Sequence, residues 1–364
     1  MNFALQKTLE LVLVIALGFF LQKKLSSKES LSGIKIIILS IALPATIFVA
    51  LLKIDLDATL LIFPALALVF NLLMFLATKY MSGSVIPTDN ESRSRTLTML
   101  LPSLAPGLSC FPFIMVYSGD DSLALAALAD VGNKIFVLIL LYILAMRWYH
   151  SRSVSTTVTS SSSKLKSLVI ALINEPINLV IIAALILLGF GLNINALPSF
   201  MSSTILRISA IMTPLVLLFI GMSAKIKWKD LRHITNILFW RAGLTFMLSG
   251  LFILLFPALS PALVLLILVF PQSSCSFWPF AHMSAVNSLE EKDNQTSPTF
   301  DIDFAISVMA CSLPFSTLMI ICIYSFSSFF TSPPLVLSLG FVMFALPLVY
   351  KYAKKYKKVL EQMT

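Results

Sequence analysis

Apolar stretches of about 18 to 25 residues recur from one end of this 364-residue chain to the other, and each is long enough to carry a helix through a bilayer. The strongly positive mean hydropathy and the small charged fraction, 12%, exclude a soluble globular domain. A transmembrane β-barrel would alternate polarity in segments of about ten residues, and no such pattern is present. The chain reads as an all-α polytopic membrane protein. Its N-terminal charges (Lys23, Lys24, Lys28) follow the first apolar run instead of preceding it, and no small-residue cleavage site is evident, so that run is expected to be retained.

Two of the apolar stretches cannot be unbroken helices. Leu100 to Pro112 (LLPSLAPGLSCFP) holds three prolines, and Val269 to Pro279 (VFPQSSCSFWP) follows about 170 residues later with two more. Each proline removes a backbone donor and clashes with the carbonyl four residues earlier. Lipid offers no replacement partner, so unwound backbone survives at membrane depth only inside protein or beside a water-filled cavity. Paired interrupted spans in corresponding positions of two halves are the best sequence pointer to a transporter's binding site. Pro102, Ser103, Pro106, Ser109 and Cys110 are therefore the candidate binding residues of the first break, and Pro271, Gln272, Ser273, Ser274 and Cys275 those of the second. Breaking a helix frees N–H groups at one half-helix start and carbonyls at the other half's end, and these loose ends are expected to face a solute.

Spans are expected at 4–22, 32–52, 58–79, 97–118, 122–147, 168–191, 200–223, 235–256, 261–286, 302–328 and 334–350, eleven in all. With the N-terminus outside, inward segments hold twenty-one Lys and Arg and outward segments two, Lys7 and Lys53. That bias predicts an N-out, C-in protein of the plasma or bacterial inner membrane. It also accounts for the basic residues, Lys35 among them, as span-boundary charges and not as a nucleic-acid surface. The Ser/Thr-rich run at 150–165 reads as a flexible linker. It separates a first five-span repeat (1–149) from a second (166–330), and an odd number of spans per half turns the second upside down. Residues 331–364 add an extra span and a basic cytoplasmic tail. Lys164 to Asn174 reads as an amphipathic lead-in along the inner interface.

Polar residues within spans are few. Asp130 and Lys134 lie four apart on one helical face, acid first, the favourable order for a pair. A lone charge at a membrane helix centre costs about 2.5–3.5 kcal/mol on insertion scales, so the two either neutralise each other or serve a site. In the second case Lys134 holds an anionic substrate or replaces a coupling cation, and Asn133 adds an adjustable amide. Asp130, Lys134 and Asp303, the last near an inner mouth beside Asp301 and Ser307, are the candidate coupling residues. Arg207 and Arg241 are expected to snorkel toward an interface. Cys110, Cys275, Cys311 and Cys322 read as buried small hydrophobes, because no C-x-x-C or Cys/His cluster exists. No nucleotide-binding, zinc or nucleophile-elbow motif is present, so no enzyme activity, cofactor or metal is expected.

Several segments resemble the auxin efflux carrier family, which includes plant PIN-type carriers and bacterial permeases. They are Leu17 to Lys24 (LGFFLQKK), Ala42 to Phe48 (ALPATIF), Ser118 to Asn133 (SGDDSLALAALADVGN), Asn174 to Pro176 (NEP), Thr213 to Gly221 (TPLVLLFIG) and Phe270 to Gln272 (FPQ), the last similar to a Leu-Pro-Gln at the family's second broken helix. The resemblance implies two inverted five-helix repeats with crossed discontinuous helices at spans four and nine, an NhaA-like arrangement shared with the wider bile acid/sodium symporter architecture. A scaffold of spans one, two, six and seven would hold a domain of spans three to five and eight to ten that moves elevator-fashion. It further implies secondary transport of a small organic anion such as a carboxylate, and a homodimer through the scaffold is compatible with it. Ser103 stands where the family's first break carries asparagine, and Pro106-Gly107 is additional, so the crossing proline is Pro102 or Pro106. Two alternatives stay open: a sodium-coupled bile-acid-type symporter, and a membrane receptor that senses a ligand without moving it.

Overall fold

The computed structural model describes residues 3–25, 27–53, 60, 62–85, 90–152, 166, 170, 173–174, 176–223, 231–293 and 297–363. Among them every regular element is helical and there is no strand, as a bilayer demands of backbone that must satisfy itself. The elements are α1 (Phe3–Leu25), α2 (Lys28–Ile37), α3 (Leu43–Leu51), α4 (Ile62–Val85), α5 (Glu91–Leu100), α6 (Pro106–Ser109), α7 (Phe111–Ile135) and α8 (Leu141–Arg152). After them come α9 (Pro176–Gly189), α10 (Ser199–Ala210), α11 (Met212–Ser223), α12 (Leu231–Leu255), α13 (Pro261–Val269), α14 (Phe277–Lys292), α15 (Ile302–Ser325), α16 (Ser327–Phe330) and α17 (Pro333–Met363).

Among the described residues, seven helical stretches are long and apolar enough to cross a membrane: 29–51, 62–81, 111–152, 199–223, 231–255, 261–291 and 302–325. This is the build of an integral membrane protein. Pro176–Gly189 and Pro333–Val349 are shorter apolar helices. The 42-residue stretch 111–152 turns at Gly119, whose φ of 82° and ψ of −171° break the helix, a conformation glycine adopts without steric cost. The turn falls between the expected fourth and fifth spans. The expected linker at 150–165 is helical as far as Arg152; the rest of it, and most of the expected lead-in at 164–174, lies outside the described residues.

Local chemistry explains the remaining boundaries. Five residues of π-helix, Ile38–Ala42, precede α3 and absorb the donor that Pro44 lacks. Ser27, Asn90, Ser260, Ser276 and Asp301 cap α2, α5, α13, α14 and α15 through their side chains, each accepting one orphan N–H of the first turn. Helices approach most closely at glycines. A Cβ on Gly18 would strike the Leu218 carbonyl of α11, and one on Gly132 would strike the Pro64 carbonyl of α4.

The core consists of two apolar clusters. One gathers α1, α3 and α9–α11 with Leu104, Cys110, Val269 and Phe270. The other gathers α5, α8 and α14 with Leu100, Leu101, Trp240, Leu244, Cys275 and Phe304. Each proline-broken segment thus starts in one cluster and ends in the other. The breaks lie on the seam between the two.

The two ends of the bundle are tied differently. At one, the 287–301 segment is lashed down: Arg93 Nε pairs with Asp301 at 2.8 Å, Arg95 Nε donates to the Thr299 carbonyl at 2.9 Å, and the buried Glu290 carboxylate accepts from the Thr299 backbone and hydroxyl. At the other, Lys53 pairs with Asp120 at 2.5 Å, and the Thr8 hydroxyl sits between Tyr117 and Ser325.

Candidate functional site

Helix α5 ends at Leu100, residues 101–105 are non-helical, and Pro106 starts the short α6. Pro102 therefore lies inside the first break and Pro106 closes it. In the second, Phe270–Gln272 form one 3₁₀ turn around Pro271, residues 273–276 are extended or irregular, and α14 restarts at Phe277. The two breaks touch main chain to main chain: Ala105 N donates to the Ser274 carbonyl at 2.8 Å. Serine hydroxyls make two more links, accepting from Ser274 N at Ser109 Oγ (2.9 Å) and from Ser276 N at Ser103 Oγ (3.0 Å). Ser109 in turn donates to the Ala105 carbonyl.

The loose ends expected to face a solute are occupied by protein. Leu104 N goes to Asn133 Oδ1, Cys275 N to Ser312 Oγ, and Ser103 N and Ser273 N close turns onto Leu100 and Phe270. The carbonyls are held by Arg241. Its Nε donates to Leu101 O at 2.8 Å, and one Nη donates to Ser273 O at 2.8 Å and to Ser103 O at 3.4 Å. Arg241 is 2% exposed, so the expectation that it snorkels is wrong. Three carbonyls that lost their helical donors supply closer partners than the distant interface. No carboxylate among the described residues pairs with it.

Beside the first break lies a second polar network. Asp130 and Lys134 are both buried and form an ion pair at 3.4 Å, and Lys134 Nζ also reaches Asn178 Oδ1 on α9 at 3.4 Å. Asn133 is not adjustable. Its Nδ2 donates to Asp130 Oδ1 (2.8 Å) and Leu104 O (2.9 Å), while its Oδ1 accepts from Leu104 N (3.2 Å) and Asn71 Nδ2 (2.8 Å). These four bonds exhaust the amide and pin the first break to α4 and α7.

Gln272 turns away from the contact between the breaks and donates to Thr245 Oγ1 at 2.6 Å and Ala242 O at 3.1 Å on α12. Cys110 and Cys275 are buried, with Cys110 beside Ser273. Asp303 does not join this group: it is exposed, in the first turn of α15, and Asp301 caps that helix by accepting from Phe304 N at 3.0 Å. Lys35, counted as a boundary charge, lies within α2 with its ammonium 4.8 Å over the Phe277 ring at the start of α14.

Arg241, Asn71, Asn178 and Thr245 are the polar residues that sequence reasoning did not place here. A single asparagine inside an apolar stretch, as at Asn71, is a signal of the same kind as Asn133. Among the described residues the seam therefore holds two buried cations, Arg241 and Lys134, and one buried carboxylate, Asp130. Such a set can neutralise one negative charge in a dry environment. No family model matches the sequence, and no curated protein matches it.

Proposed function

We propose that this chain is a secondary transporter of a small organic anion, built on two inverted five-helix repeats whose broken helices cross, as in the auxin efflux carriers it resembles. The observation that carries the reading is the excess buried positive charge where two interrupted helices meet. A buried cation without a carboxylate is costly, and it is maintained most readily where a charged solute comes to it. Elevator movement fits the bonding. Direct bonds and Arg241 join the breaks to each other and to α12, and the 287–301 segment ties α5, α8, α14 and α15 into one group. Between that group and α1–α3 with α9–α11, the polar bridges include Lys134–Asn178, Lys53–Asp120, the Thr8 hydroxyl cluster and the Lys35 ammonium over Phe277. Moving the group needs few polar bonds to break. The N-out, C-in orientation, the plasma or bacterial inner membrane and a homodimer through the scaffold helices belong to the same proposal.

The test is uptake and counterflow of labelled carboxylates in proteoliposomes holding the full chain. Flux is expected in the wild type and not in Lys134→Ala, with both proteins eluting as folded monodisperse species. Uptake should survive replacement of sodium by choline, because Lys134 occupies the place a coupling cation would take beside Asp130. Binding without counterflow would make the protein a sensor and overturn the proposal.

A further inference from the structure

Asn71 presents a buried acceptor that no described residue meets. The side chain is fully buried and its Nδ2 donates to Asn133 Oδ1 at 2.8 Å, yet its Oδ1 accepts no hydrogen bond among the described residues. The usual ambiguity of an amide flip does not apply. Asn133 is oriented by Leu104, which donates its N–H to Oδ1 and accepts from Nδ2 at its carbonyl. Asn133 must therefore offer oxygen to Asn71, and Asn71 must answer with its NH₂, which leaves its own oxygen without a partner among the described residues. An unmet buried acceptor is destabilising, and natural cores hold few of them outside working sites.

We infer that Asn71 is a substrate-reading residue: its Oδ1 accepts a hydrogen bond from a donor carried by the transported anion, so that the site favours carboxylates bearing a hydroxyl over their deoxy counterparts. The inference rests on the proposed transport function and adds the substrate class. The neighbouring groups set the chemistry. Asn71 is one hydrogen bond from Asn133, which is bonded to Asp130, the partner of Lys134. A ligand there meets a fixed cation for its carboxylate and an acceptor for its hydroxyl within one connected network. A bare metal cation would satisfy Asn71 but would add a third positive charge to Lys134 and Arg241, which disfavours it. An acceptor already buried and oriented discriminates strongly, because the deoxy analogue leaves it unpaired.

The experiment uses wild-type and Asn71→Leu proteoliposomes with two matched pairs, lactate with propionate and 3-hydroxybutyrate with butyrate. Each acid is run as labelled substrate and as competitor. The wild type should prefer the hydroxy acid of at least one pair by roughly tenfold, the range of one unmade buried hydrogen bond. Asn71→Leu should lose that preference, its ratio of hydroxy-acid to deoxy-acid rates falling to about one. Asn71→Ala gives the same reading if the leucine variant does not fold. Robust wild-type flux without a hydroxyl preference, or a preference that survives the substitution, overturns the inference, leaves the carrier reading standing and assigns the acceptor to a buried water alone. No flux or counterflow of any of the four acids defeats both.

Discussion

Replacing Arg241 by methionine isolates what the buried guanidinium contributes. It makes two bonds of 2.8 Å, to Leu101 O and Ser273 O, and a longer one of 3.4 Å to Ser103 O. A hydrogen bond to a charged group contributes about 1.5–3 kcal/mol, so the two short bonds together are worth roughly 3–6 kcal/mol. Methionine also relieves the protein of a charge within a membrane helix, about 2.5–3.5 kcal/mol on insertion scales. The difference predicts that Arg241→Met is destabilised by about 0.5–2.5 kcal/mol, and that the two breaks become less firmly joined. The assay is the apparent thermal midpoint in detergent at one fixed scan rate, because membrane proteins of this size seldom unfold reversibly. An unchanged or higher midpoint would refute the reasoning. It would mean that the direct links between Ala105, Ser109, Ser103 and the 274–276 backbone hold the breaks together alone, and that burying the charge outweighs its bonds.

Asn133→Leu removes four hydrogen bonds at once and leaves Leu104 N and O unpaired; a loss of about 2–4 kcal/mol and abolished uptake are expected, and near-normal uptake would dissociate the clamp from transport. Gly132→Val places a side chain against the Pro64 carbonyl, so α4 must shift, and a loss of roughly 1–3 kcal/mol should appear as a lower thermal midpoint. Lys53→Met deletes an ion pair whose lysine side chain is 40% exposed; exposed pairs contribute about 0–1 kcal/mol, so stability should barely change, and a large loss would show that this pair seals its end of the bundle.

The broken segments were legible because proline has one dominant physical effect in a helix, and five prolines in two apolar runs leave no alternative. Asp130, Asn133 and Lys134 were legible for a related reason: polar groups inside an apolar span demand partners. Arg241 misled because a lone arginine 11 residues into a helix that starts at Leu231 satisfies the snorkelling pattern as well as the buried one. Whether it bends outward or inward depends on carbonyls about 140 and 30 residues away in sequence. Asp303 misled in the opposite sense, since a carboxylate near a span end carries no mark of whether it faces a passage or solvent. Asn71 stood alone in an apolar span and was overlooked, although its logic matched that of Asn133.

The sequence by itself determined that the chain is helical and suited to a membrane, where its helices must break, and that charge is buried within one span, because these follow from local backbone chemistry and from the cost of polar groups in lipid. Only the tertiary structure decided that the two breaks touch, that Arg241 takes their carbonyls, that Asn133 is fully committed, and that the Asn71 oxygen meets no partner among the described residues. Those outcomes depend on which distant groups arrive within 3 Å, and hydrogen-bond complementarity across a fold leaves no period or motif in the chain that produces it.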